Sequence, residues 1–407
     1  MFYLGLDFGT LGARACVIDA AGCVVFETRA EYIEPQQQDA ADWRAALFDL
    51  LAQIPPVLRA ALAAIAMDAT SGTVLLADDE LEPLAPALLY NDTRASADTD
   101  VVPLPGSLAK GMWLTQQADI AHARYFFHQA DWLAALLTGV GGVTDYHNAL
   151  KTGFDPHALS WPAWIQALPI AALLPQVIAP GTQLGRISRH TARHFNLNPA
   201  CLVRAGTTDS IAAFVATGVK QPGYAVTSLG TTLVLKLLST TRVESVEYGV
   251  YSHRFGNLWL AGGASNSGGG VLRQFFTDAA LAKLSLRIHP DQPSGLDYYP
   301  LPRPGERFPI HAPALLPRLA PRPTDDVRFL HGLLEGMARI EAQGYARLAE
   351  LGATPLRRVI SAGGGSKNEA WRRIRENQLG VPVETAQQGE AAFGAARLAQ
   401  AGVKLFP

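Results

Sequence analysis

The first thirty residues carry three short runs in which apolar positions dominate or alternate: FYLGLDF, ARACVID and VVFETRA. The turns GTLG and AAG separate them, so three strands are predicted. ADWRAALFDLLAQI changes period. Trp43, Leu47, Leu50 and Leu51 fall on one stripe, which predicts a helix. LAAIAMD and TVLLADD return to strand, and HQADWLAALLTG reads as a helix stopped by Gly139. In GVKQPGY, Pro222 and Gly223 break the preceding helix and supply a hinge. AVTSLGTTLVLKLLS then reads strand, Gly-Thr turn, strand, the form of the opening LGLDFGTLGARACVID. The two hairpins suggest an internal repeat, one copy per half. Coincidence is the alternative, because hairpin turns favour glycine in any protein. Residues 290–323 are proline-rich but carry Tyr, Phe, Ile and Leu throughout, and read as an ordered excursion anchored by apolar side chains. VRFLHGLLEGMARIEAQGYARLAEL is a long amphipathic helix, RRVISAGGGSKNEAWRRIRENQLG is strand, glycine turn, helix, and GEAAFGAARLAQAG is a final helix of small residues. Strands alternating with helices predict mixed α/β sheets.

A chain of 407 residues is too long for one ordinary core, so two domains are expected, 1–221 and 222–407, with the last helix able to pack on the first. Hydrophobic residues at 48% and charged residues at 17% are the balance of a globular enzyme. A net charge of −2 gives no footprint for nucleic acid or for an anionic membrane. No run is long enough for a membrane span, and the N-terminus has no basic region leading into an apolar stretch, so no secretory signal is expected. Cys16, Cys23 and Cys201 show no paired spacing and fit free thiols, hence a cytoplasmic protein.

There is no Gly-Lys dipeptide and so no Walker A loop, and no glycine cluster completes G-x-G-x-x-G. His190 and His194 lie i, i+4 in RHTARHF, a solvated helix face in preference to a metal site. Three glycine turns remain. In DFGTLG, Gly9 and Gly12 let backbone N–H groups approach an anion, and Thr10 adds a hydroxyl. Asp7 beside such a turn would repel phosphate unless a metal ion lies between, so it reads either as a ligand for Mg²⁺ arriving with a nucleotide or as part of a tight hairpin with an Asx turn. In SLGTTLVL, Thr231 and Thr232 could receive phosphate, or simply turn a hairpin. In AGGGSKNEAW, Ser366 and Glu369 form a capping box, and three glycines before a helix offer bare backbone to adenosine or phosphate; a crowded strand-to-helix turn is the alternative. GGASNSGGGVLRQFF repeats that form with Gly268 to Gly270. In RAGTTDSIAAFVATG, Asp209 is placed as an N-cap, where the helix keeps it ionised. Phosphoryl transfer needs no strong base, so an ionised Asp209 that orients a hydroxyl suffices.

LGLDFGTLGARACVID, GTTDSIAAFVATG, SLGTTLVLK, GGASNSGGGVLRQ, YYPLPRPGERFPI, LHGLLEGMARIE and SAGGGSKNEAWRRI occur in the order seen in the FGGY carbohydrate kinases, which the chain resembles over essentially its whole length. HQADWLAALLTG, DYHNALKTGFDP, YGVYSHR and GLDYYPL resemble the plant and cyanobacterial D-ribulose kinase group of that family. A xylulokinase would show a Met-His pair at the sugar, whereas MDATSGTVLLADD carries Ser71 and Gly72 without histidine. The resemblance implies an actin-like, ribonuclease-H-like two-domain α/β fold with ATP in the cleft, and phosphorylation of a pentulose, D-ribulose by preference. It implies that Asp7 and Thr10 lie at the metal and the γ-phosphate, and that Asp209 is the general base, with Asp7 and Asp209 both meeting substrate. Ser71 would contact the sugar and Asp68 would lie near it. Gly9, Gly230 and Thr231 would touch phosphates, Gly268 and Gly269 would line the cleft, and Gly364, Gly365 and Asn368 would hold adenosine. ATP, Mg²⁺ and a sugar are the expected partners of a monomer or homodimer, without nucleic acid or membrane. The family has Ser after DFGT, and this chain has Leu11, which removes one hydroxyl from the phosphate turn. The other readings are a kinase for D-xylulose or L-ribulose, an actin-like ATPase without sugar-kinase activity, and an inactive sugar sensor.

Overall fold

The structure, a computed structural model, describes residues 1–35, 37–96, 106–117 and 119–407. The chain divides into two compact units, Met1–Ala216 with Glu390–Phe406, and Thr217–Gly389.

The first unit is built on strands β1 (Phe2–Phe8), β2 (Gly12–Asp19), β3 (Val24–Glu31) and β4 (Leu62–Ala69). β5 (Val74–Ala77) pairs only with β6 (Tyr125–His128), and β7 (Val143–Asp145) with β8 (Gln176–Ile178). β9 (Gln183–Arg186), β10 (Leu202–Arg204) and β11 (Thr207–Thr208) complete the main sheet, whose order is β3-β2-β1-β4-β10-β9 with β11 on β4. Its helices are α1 (Ala40–Gln53), α2 (Pro56–Ala60), α3 (Gly106–Gln117), α4 (Gln129–Thr138), α5 (Tyr146–Ala149), α6 (Ala163–Gln166), α7 (Arg189–Phe195) and α8 (Asp209–Ala216). Alternation along β1 and β4 sends Leu4, Leu6, Phe8, Ile65 and Met67 to one core with Trp43, Leu47 and Leu50 of α1 and Trp132 of α4. Asp39 caps α1 by accepting from the N–H groups of Ala41 and Asp42, a reciprocal box with Asp42, and Gly139 ends α4 at φ 76°.

The second unit holds β12 (Tyr224–Leu229), β13 (Leu233–Ser239), β14 (Tyr251–Phe255), β15 (Leu258–Ser265), β16 (Arg358–Ala362) and β17 (Val383–Thr385), in the order β14-β15-β13-β12-β16-β17. Its helices are α9 (Gly269–Leu272), α10 (Asp278–Ser285), α11 (Asp326–Glu350) and α12 (Glu369–Leu379). The proline-rich stretch is pinned by buried Leu296, Tyr298, Leu301 and Phe308. Glu341 of α11 and Arg375 of α12 form a fully buried bidentate pair at 2.6 and 2.7 Å, extended by the hydroxyls of Thr227 and Ser361.

The chain then returns to the first unit with α13 (Ala391–Ala401) on the sheet face opposite α1. Its small residues are a packing requirement. A Cβ on Gly5 of β1 would lie 2.0 Å from the Ala392 carbonyl oxygen, and one on Gly394 would lie 1.9 Å from that of Ala212.

The units part after Ala216, where α8 stops and Gly218 adopts φ 76°, against the expected 221. TVLLADD forms β5 and pairs with β6. One expectation is corrected. Gly364–Lys367 is a 3-10 turn, so Asn368 caps α12 in place of the expected Ser366 box.

Candidate functional site

In the first unit, strand register assembles the acidic residues. β1 and β4 run parallel with Asp7 opposite Asp68, and β11 sets Thr207 opposite Asp68 from the other side. Two residues on, Asp209 opens α8; it is the first helical residue instead of the cap, and its Oδ1 accepts from the Ser210 N–H at 2.6 Å. Thr207 Oγ1 is tied at 2.8 Å to Nδ1 of the fully buried His147. Asp7 is 6% exposed and Asp68 wholly buried, with no hydrogen-bond partner for either Asp68 oxygen among the described residues.

Burial is the largest influence on both carboxyls. It pushes Asp7 up to about 6, against the pull of the Asp68 carboxyl and of Arg14 and with the repulsion of Asp209 and Glu390. It pushes Asp68 well above the usual carboxylate range, with the repulsion of Asp7 and Asp209 added. Burial therefore disfavours the charge on Asp68 more strongly than on Asp7. The Arg14 guanidinium stands 3.8 Å from Asp7 and 2.9 Å from Glu390 at the surface.

The turn after β1 is a hairpin closed by Gly9 N–H to the Gly12 carbonyl at 3.0 Å, with the Thr10 carbonyl held by Gln38 Nε2 at 2.9 Å and Leu11 70% exposed. The turn after β4 carries Ser71, whose buried Oγ has no partner among the described residues, and Gly72 at φ 91°. Three residues here were not singled out by sequence: Lys110, Ser107 and Gln129. Lys110 Nζ donates to the carbonyls of Gly72, Leu89 and Tyr90, and burial lowers it to about 8. Its signal was a lone basic residue in the apolar run GSLAKGMWL.

In the second unit, the glycine turns interlock. The Gly269 and Gly270 N–H groups donate to the carbonyls of Gly230 and Thr231 at 2.8 and 3.0 Å. Gly268 adopts φ 146°, and a Cβ there would lie 2.7 Å from the Thr231 oxygen. A Cβ on Gly365 would strike Leu229 and the Trp371 ring at 2.9 and 2.6 Å, whereas one on Gly364 would meet nothing within 4 Å. Structure thus gathers Gly230, Thr231, Gly268 and Gly269 at one hairpin tip and lays Gly365 against the strand leading to it, with Gly364 facing open space. Asn368 is already committed: Oδ1 caps the Trp371 N–H and Nδ2 donates to Ser285 Oγ at 2.8 Å.

No group of three or more His, Cys, Asp or Glu suited to a metal ion occurs among the described residues. No described helix is long and apolar enough to cross a membrane.

An α/β scaffold that sets carboxyls at strand ends in one unit and bare glycine turns in the other defines a phosphoryl-transfer class of protein. Comparison with known proteins narrows it. Residues 225–403 match the FGGY family of carbohydrate kinases, C-terminal domain. A xylulose kinase of Streptomyces coelicolor is 28% identical over 97% of this chain and 86% of its own length. The gluconokinase of Bacillus subtilis is 22% identical over 94% of this chain and 84% of its own. Among solved structures, a xyloylose kinase from Brucella ovis superposes with a TM-score of 0.85 at 26% identity, over 99% of this chain and 91% of the other. Plasmodium falciparum glycerol kinase with ADP superposes at 0.83 and 19%, over 100% and 90%, a likeness of fold. The chain has the two-domain fold of the FGGY sugar kinases, residues 225–403 match the C-terminal domain of that family, and the protein is an ATP-dependent carbohydrate kinase.

Proposed function

We propose that the substrate is a pentulose, D-ribulose by preference, phosphorylated to D-ribulose 5-phosphate. The observation that supports this most is the meeting of Asp7, Asp68 and Asp209 at one end of the first unit's sheet, beside the unpartnered Ser71 hydroxyl. Buried polar groups without partners suit a ligand rich in hydroxyls. Asp209, at a helix start, orients the attacking hydroxyl and takes its proton late in transfer. Ser71 and Asp68 hold the sugar. The exposed tip at Thr231 with Gly230, and the Gly268–Gly269 turn, offer backbone to phosphates. Gly364 and Gly365 leave space for adenosine, and Asn368 keeps that turn in shape by capping α12. Gly9 and Thr10 serve the γ-phosphate.

Asp7 is a hard oxygen donor beside the orphaned oxygens of Asp68 and would hold Mg²⁺, with water and phosphate completing its shell. Bound there, Mg²⁺ would neutralise phosphate charge that Asp7 would otherwise repel.

D-xylulose is the second reading, favoured by the relatives named xylulose kinase. The test is a coupled ADP assay over the four 2-ketopentoses. D-Ribulose should give the highest kcat/KM; a tenfold preference for D-xylulose would select the second reading, and ATP turnover indifferent to every sugar would refute both.

A further inference from the structure

The turn between β4 and β5 is ringed by polar groups that the protein buries and leaves unmatched. Ser71 Oγ, Ser107 Oγ and Gln129 Nε2 are all buried without a hydrogen-bond partner among the described residues. Ser107 is 1% exposed and Gln129 not at all. The three come from separate elements, yet all are fastened to the same turn. A Cβ on Gly72 would lie 3.5 Å from Ser107 Oγ. One helical turn further along α3, Lys110 locks that helix to the Gly72 carbonyl. Gln129 opens α4, its N–H donates to the Thr73 carbonyl at 3.1 Å, and its Oε1 accepts from Thr70 Oγ1 at 2.8 Å. Thr70 and Thr73 are themselves joined through their hydroxyls at 2.7 Å, and Thr73 Oγ1 accepts from the Tyr90 N–H at 3.0 Å. The Gln129 oxygen is therefore fixed, and its NH₂ is held out as a donor with no acceptor among the described residues.

Leaving such groups unpaired in a dry interior works against folding. Groups kept in that condition together, on a rigid turn, are those expected of a site that hydrogen-bonds a ligand and discriminates against ligands lacking the matching oxygen.

We propose that Ser107 and Gln129 are sugar-contacting, specificity-determining residues, which with Ser71 hydrogen-bond the hydroxyl and carbonyl oxygens of the ketose. This rests on the sugar-kinase reading above. Gln129 Nε2, a donor only, takes an oxygen of the sugar as acceptor; the two serine hydroxyls can give or receive.

Two substitutions test it with little disturbance. Gln129→Glu keeps an oxygen for Thr70 and replaces only the unmatched NH₂. Ser107→Ala removes only the unmatched hydroxyl. Readouts are the ligand-free Tm, KM for the preferred pentulose, KM for ATP, and the preference for that pentulose over dihydroxyacetone, which lacks the sugar's remaining hydroxyls. Each variant is expected to lose about tenfold or more in kcat/KM for the pentulose through KM, with KM for ATP within about twofold and a reduced preference over dihydroxyacetone. Ser107→Ala should fold with an equal or higher Tm. Unchanged pentulose KM in both variants overturns the proposal whatever their Tm, since the groups would then be hydrated or structural only. A wild-type protein indifferent to every pentulose refutes instead the functional reading on which this one stands.

Discussion

Replacing Asp7 by Asn should stabilise the ligand-free protein while abolishing its activity. Asp7 is 6% exposed, and burial raises it from the ordinary 3.8 to about 6. At about 1.4 kcal/mol per tenfold change in proton affinity, that rise costs the ionised native state about 3 kcal/mol. The sign follows from which state holds the proton. Below 3.8 both folded and unfolded chains carry it, and no cost arises. As pH climbs through 3.8 to 6 the unfolded chain releases its proton first, so native stability falls; above about 6 the full cost is present. Asn carries no charge to desolvate. Asp7→Asn should therefore gain up to ~3 kcal/mol at pH 8 and ~1 kcal/mol at pH 4.5, with some of the gain offset by losing Arg14. Urea unfolding in EDTA at the two pH values measures it. A variant no more stable than the parent at pH 8 would show that Asp7 is not held against its solvation, and would remove the argument that its place is set by a ligand. Activity carries the same signature: kcat/KM of the parent should fall as pH drops through about 6, where Asp7 takes up its proton.

Asp209→Asn should lower kcat by about 10²–10⁴ while leaving KM for ATP within about twofold; undiminished turnover in the ADP assay would refute the base assignment. Arg375→Met should cost about 3–5 kcal/mol in urea unfolding, because it strands the buried Glu341 carboxylate, and adding Glu341→Leu should recover most of that loss; a double variant as weak as the sum of its parts would refute it. Gly268→Ala forces a side chain against the Thr231 carbonyl at a φ of 146°, so KM for ATP should rise about tenfold or more with little change in sugar affinity; unaltered ATP kinetics would detach this turn from the nucleotide.

Local chemistry was legible in the sequence wherever one segment determined the outcome. The opening hairpin, α1 with its stripe through Trp43 and Leu47, α4 ended by Gly139 and the long α11 all follow from period and punctuation. The places of Asp7, Gly9 and Thr10 at the end of β1 and in the turn after it were legible too, because they stand in one run of sequence. What escaped depends on elements far apart in the chain. That Asp7 faces Asp68 is a matter of register between β1 and β4, and a one-residue slip would have sent Asp68 to the other face. Ser107 and Gln129 look like ordinary helix-start residues until tertiary structure buries Ser107 Oγ and Gln129 Nε2 without partners among the described residues. That Asn368 caps α12 and bonds Ser285 was not legible, because it depends on a 3-10 turn over 364–367 that delays the helix start.

The two sheets repeat one plan, and the difference between the copies separates the chemistry. In each, the first strand pairs antiparallel with the second, the second antiparallel with the third, and a later strand lies parallel to the first: β1, β2, β3 and β4 in one unit, β12, β13, β15 and β16 in the other. Both first strands end in a Gly-Thr tip, Gly9–Thr10 and Gly230–Thr231. Two residues before each tip the register pairs are Asp7 with Asp68 in one copy and Ser228 with Ala362 in the other. The same backbone positions hold two carboxyls in the first unit and no charge in the second. A triphosphate set against the acidic pair would be repelled unless a cation lay between, whereas the neutral row adds no repulsion to the glycine backbone beside it. That asymmetry supports assigning the hydroxyl-bearing substrate and the cation to the first unit and the bulk of the nucleotide to the second. It also explains why glycine crowds the second copy, where backbone approach must do what side-chain charge does in the first.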